Sequence, residues 1–112
     1  MDNKKIFSKP TGFGQIIDDT VARCPEREAI VYKDWRITYG EMGSLINQTA
    51  RYLSSLGLSK GSRISVITRN CPESLLIELA ALKLGIIPVR INWRLSPEEM
   101  EYIIDLNDVN MV

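Results

Sequence analysis

With 112 residues, 45% of them hydrophobic and 25% charged, the chain has the composition of one soluble globular domain or part of one, at the small end for a self-sufficient core. Fourteen basic residues balance fourteen acidic ones, so no net field draws it to nucleic acid or to an anionic membrane. The chain has no histidine, the commonest general base, and its two cysteines, Cys24 and Cys71, lack metal-ligand spacing.

Residues 1–12 read as a flexible lead-in, whose Lys4, Lys5 and Lys9 precede no apolar core of signal-peptide length. No later run approaches the roughly 20 apolar residues of a membrane span, so a cytoplasmic address with reduced thiols is expected. From Phe13 to Arg23, apolar Phe13, Ile16, Ile17, Val21 and Ala22 recur at helical spacing, ending against Cys24-Pro25. Gly12-Phe13-Gly14 lacks both the preceding strand and the third glycine of a dinucleotide fingerprint. Ala29–Tyr32 and Trp35–Thr38 flank the polar pair Lys33-Asp34 and predict a hairpin.

Thr38 and Glu41 have the spacing of a capping box and open a helix predicted over Tyr39–Leu56, with Gly57 placed for a left-handed C-terminal cap. The β-branched run Arg63–Thr68 predicts a strand. Pro72 then begins a helix apolar on most sides, through Leu75, Leu76, Leu79, Ala80, Leu82 and Leu84 to Gly85. Ile86–Ile91 is the next strand, and Arg90 is a charge within it that suits an edge or snorkelling position. Ser96-Pro97-Glu98-Glu99 caps a last helix with Met100, Ile103, Ile104 and Leu106 as its buried stripe, before a strand begins at Val109. The fold class expected is therefore α/β: an N-terminal hairpin followed by a parallel βαβαβ unit with helices packed on the sheet.

In one order the chain carries Thr38-Tyr39-x-Glu41, Leu56-Gly57-Leu58-x-Lys60-Gly61-x-Arg63, Asn70-x-x-Glu73, Lys83-Leu84-Gly85 and Asn92-x-Arg94-Leu95. That order, from about Phe13 to Val112, resembles the N-terminal region of the adenylate-forming (AMP-binding) enzymes. Asn92-Trp93-Arg94-Leu95 followed by Ser-Pro-Glu-Glu is most similar to the acyl- and aryl-CoA ligase branch. The resemblance implies a parent enzyme that uses ATP, Mg2+ and CoA to convert a small carboxylic acid first to an acyl adenylate and then to a thioester. It also implies that residues 1–112 are one N-terminal piece of a larger domain. The family's Ser/Thr/Gly-rich Pro-Lys-Gly phosphate loop has no counterpart here, and its catalytic lysine lies far downstream. No catalytic or metal-binding residue is thus expected, and the chain alone is expected to be inactive.

The same resemblance places one binding residue, Arg94, near the nucleotide phosphates of CoA, a task suited to a planar guanidinium. The plainer alternative is a solvated Arg94, or one paired with Glu98 or Glu99. Asn92 suits a local backbone hydrogen bond, and Trp93 either covers the helix end or lines a ligand surface. Two further readings share the pattern: an adenylation fragment serving a carrier protein, and a non-enzymatic α/β interaction module. An open sheet edge or an exposed apolar face on the Pro72–Leu84 helix makes self-association the expected behaviour of this chain.

Overall fold

The computed structural model describes residues 12–112, so the lead-in expected to be flexible lies, except for Gly12, outside the described residues. The elements follow the predicted order: α1 (Phe13–Arg23), β1 (Glu28–Tyr32), β2 (Trp35–Thr38), α2 (Tyr39–Ser55), β3 (Arg63–Ile67), α3 (Pro72–Leu84), β4 (Ile87–Ile91) and α4 (Pro97–Leu106).

Both capping boxes form. The Thr38 hydroxyl accepts from the Glu41 amide at 3.1 Å while the Glu41 carboxylate accepts from the Thr38 amide at 3.1 Å, and Ser96 and Glu99 repeat the arrangement at α4. Each box satisfies amides that have no partner inside the helix. The Thr38 backbone bond first, and the Thr38 hydroxyl second, hold the Glu41 carboxyl below the ordinary 4.5. A depressed folded-state pKa contributes stability above the unfolded value, and that contribution is lost as pH falls through the lower folded value. The difference in Tm between the wild type and Glu41→Gln is therefore expected at neutral pH and should close below pH 4.5. A gap of constant size in an acid series of thermal melts would contradict this.

Helices α2 and α3 run side by side, with α1 against both. Ile46, Ala80 and Ala81 are fully enclosed at their junction, and the core continues into Leu53, Leu76 and the β3 residues Ile64 and Val66. The three helices are also tied by Lys83, whose ammonium donates to Asp18 at 2.7 Å and to Asn47 at 2.6 Å. At the end of α3, Gly85 adopts φ +76°, where a Cβ would stand 3.0 Å from Lys60 Cγ. Only glycine meets both demands without strain.

The hairpin pairs β1 with β2 antiparallel, and β3 pairs with β4 in parallel from Arg63↔Ile87 to Ile67↔Ile91. The strand expected from Val109 is a single parallel bridge, Ile64↔Met111. It is held by Asn110 N to Arg63 O at 2.7 Å and Ser65 N to Met111 O at 2.8 Å. β3 thus has a neighbour on both sides, the order that the βαβαβ reading requires.

Two expected burials differ. Met100, Ile103 and Ile104 of α4 are half-buried and Leu106 is 66% exposed, because α4 lies outside the main core cluster. On α3 the neighbours α1, α2 and β4 cover most of the apolar side chains, leaving only Leu75 exposed. Most exposed apolar groups sit elsewhere, among them Phe13, Val31, Trp35, Tyr52, Tyr102 and Leu106.

Two buried serines have opposite prospects. The Ser74 hydroxyl donates to Cys71 O at 2.9 Å, whereas Ser65 Oγ is buried without a hydrogen-bond partner. Removing a buried polar group that has no partner is neutral or favourable, while removing a satisfied one costs about 1 kcal/mol. Urea titration is expected to rank Ser65→Ala at or above the wild type and Ser74→Ala below it.

Candidate functional site

Parallel pairing puts the carboxyl ends of β3 and β4 on one side of the sheet, so the loops that follow them must be neighbours. Open α/β sheets bind ligands at such an edge. Here the two loops enclose a cavity of about 480 Å³, lined by Thr68 and Asn70 after β3, by Asn92, Trp93 and Arg94 after β4, and by Arg90 at its side.

The second loop is fixed locally. Asn92 Oδ1 accepts from the Arg94 amide at 3.0 Å, and the Leu95 amide donates to Asn92 O at 3.1 Å. Asn92 is therefore the local backbone partner that its residue type indicated. The loop after β3 is joined to β4 by Arg90, whose guanidinium donates to Asn70 Oδ1 at 2.6 Å and to Glu78 Oε1 of α3 at 2.9 Å. That ion pair explains how an arginine is accommodated in an otherwise apolar strand: its half-exposed side chain reaches a carboxylate on α3.

Trp93 carries two cations. The guanidinium carbon of Arg69 lies 4.4 Å, and that of Arg94 5.2 Å, from its ring centroid, both within cation–π range. Among the described residues neither Arg69 nor Arg94 forms an ion pair, so the pairing of Arg94 with Glu98 or Glu99 is not made. On a chain of zero net charge, two guanidinium groups without ion pairs thus gather at Trp93, in the wall of the cavity. The expected site residue Arg94 lies in this cavity. Thr68 and Asn70 join it in the cavity and Arg69 stacks on Trp93, a grouping whose sequence signal is their place after a strand parallel to β4.

Cys24 and Cys71 are free, half-buried thiols far apart in sequence and outside this cavity's wall. Among the described residues no cluster of three or more His, Cys, Asp or Glu side chains could hold a metal ion. No described helix is long and apolar enough to cross a membrane.

The architecture and this edge define an α/β unit with an arginine-lined cavity at the carboxyl ends of two parallel strands. The chain belongs to the AMP-binding enzyme family, whose model matches residues 17–112. It is 38% identical over 103 residues to the mitochondrial medium-chain acyl-CoA ligase ACSF2 of Pongo abelii, covering 90% of this chain and 17% of that protein. It is 30% identical over 105 residues to the 3-hydroxybenzoate–CoA ligase of Aromatoleum sp. (strain CIB), covering 93% of this chain and 20% of that protein. Among solved structures, the inhibitor-bound N-terminal domain of FACL13 from Mycobacterium tuberculosis superposes with a TM-score of 0.86 at 31% identity. That match covers 90% of this chain and 26% of the other. The chain thus spans about a fifth or less of the length of these curated relatives.

Proposed function

We propose that this chain is the N-terminal part of an AMP-forming acyl- or aryl-CoA ligase, supplying sheet scaffold and one wall of the CoA channel, with Arg94 directed at a CoA phosphate. The observation that carries the reading is Arg94 itself: exposed at the carboxyl edge of a parallel pair, free of any ion pair and held at a defined turn. A guanidinium so placed can form two parallel charge-assisted hydrogen bonds to one phosphate.

In the whole enzyme a substrate carboxylate oxygen would attack the α-phosphorus of ATP, releasing pyrophosphate. The CoA thiolate would then attack the acyl carbon and expel AMP. ATP and Mg2+ serve the first half-reaction and CoA the second. None of the 112 residues supplies the Pro-Lys-Gly loop for that first step, and the part proposed for this chain is sheet scaffold and the positioning of CoA.

The 112-residue protein is expected to show no ATP–pyrophosphate exchange. Titration of 15N-labelled protein with CoA should shift the Asn92 and Arg94 amides and the Trp93 indole. Measurable exchange would overturn the inactivity, and CoA shifts confined to other residues would overturn the role of Arg94. With no net charge to oppose association, a second copy is expected to pair along the outer edge of β4, where Ile87 is 45% exposed. A monomer at all concentrations in sedimentation equilibrium would contradict that pairing.

A further inference from the structure

We infer that Arg69, stacked on Trp93 beside the cavity, is a second phosphate-holding side chain, and that Trp93 is the positioning residue that keeps it near Arg94, so this edge of the sheet takes a ligand with two separated phosphate groups. The ligand's identity as the 3′,5′-bisphosphate end of CoA rests on the reading given above. The pairing of the two arginines rests on the geometry alone.

Both guanidinium carbons lie over the same indole, so they are separated by no more than the sum of 4.4 Å and 5.2 Å. Two like charges at that spacing repel, and no described carboxylate pairs with either. Cation–π attraction to Trp93 is what holds them together. An arginine stacked on a ring keeps its N–H donors at the edge of the guanidinium plane, available to an anion. Arg90 is not a third member, since it is committed to Glu78 and Asn70. It braces β4 against the loop after β3, and among the described residues Arg69 and Arg94 are the cations of this edge that form no ion pair. One phosphate occupies one fork, so two forks on one ring select a ligand with two phosphates over one with a single phosphate.

The test compares adenosine 3′,5′-bisphosphate, AMP and CoA by NMR titration, observing the Nε–H groups of Arg69 and Arg94 and the Trp93 indole. The bisphosphate is expected to bind about tenfold more tightly than AMP. In Arg69→Ala that preference should fall to within about twofold, and the salt dependence should drop by about one counterion. Trp93→Leu should lose the preference and also move the Arg69 Nε–H resonance in the free protein, whereas Trp93→Phe should retain it. Well-dispersed amide spectra establish that each variant folds.

An Arg69→Ala protein that keeps the tenfold preference while Arg94→Ala loses it overturns the inference and leaves the CoA reading standing. If the bisphosphate shifts both arginines but CoA shifts neither, the two-phosphate site stands and the CoA reading fails. No shift with any of the three ligands overturns both.

Discussion

Replacing Ile46 with alanine is expected to lower the unfolding free energy by about 2–5 kcal/mol, the range for deleting a large buried aliphatic side chain. Ile46 is 0% exposed, at the junction of α2, α3 and the sheet. The upper part of that range is favoured by what surrounds it. Ala80 and Ala81 are also fully buried, and their short side chains cannot swing into the vacated space. One turn earlier, Gly43 lies against Val21, where an added Cβ would meet Val21 Cγ1 at 2.9 Å, so α1 and α2 have no slack with which to close the gap. For a domain of about 5–15 kcal/mol total stability, such a loss is a large fraction of the whole. Ile46→Val should cost about 0.5–1.5 kcal/mol, and Tyr52→Ala, at a residue of α2 that is 63% exposed, should change little. Urea denaturation tests the ranking through its midpoint at constant slope. A loss under about 1 kcal/mol for Ile46→Ala would show that the α2–α3 seam relaxes far more easily than its packing indicates.

Local chemistry made most of the fold legible. Thr38 with Glu41, and Ser96 with Glu99, announce helix starts because the cap needs only those side chains and the adjacent backbone. Pro72 and Gly85 bracket α3 for equally local reasons. Burial was less legible, since periodicity shows which face of a helix is apolar but not whether anything covers it. Leu106 has the spacing of a core residue and is exposed, while the apolar flank of α3 is largely covered by α1, α2 and β4. The site was half legible. Asn92-x-Arg94 lies within one loop and could be read from its residue types. Arg69 joins Trp93 only because β3 and β4 are parallel neighbours, a relation between residues 24 positions apart in the sequence.

Reversing the charge at Arg94 should have the largest effect on ligand binding. Arg94→Glu is expected to weaken CoA binding about 10- to 100-fold, since a hydrogen bond to a charged group contributes about 1.5–3 kcal/mol and about 1.4 kcal/mol is tenfold. Two effects act in the same direction. The fork that would hold a phosphate is lost, and the introduced carboxylate would stand beside Trp93 within reach of Arg69, drawing that guanidinium into an ion pair. The structural cost should be small, because the hydrogen bond that fixes this turn is made by the Arg94 backbone amide to Asn92 Oδ1 at 3.0 Å and survives the substitution. Tm should therefore stay close to the wild-type value while the CoA Kd rises, and the gap between the two proteins should narrow as ionic strength increases. Asn92→Ala is the complementary variant: it keeps the charge and removes the acceptor, so it should loosen the turn and weaken CoA binding by a smaller factor. A CoA Kd for Arg94→Glu within twofold of the wild type, measured at low salt, would place the CoA phosphates away from this edge of the sheet.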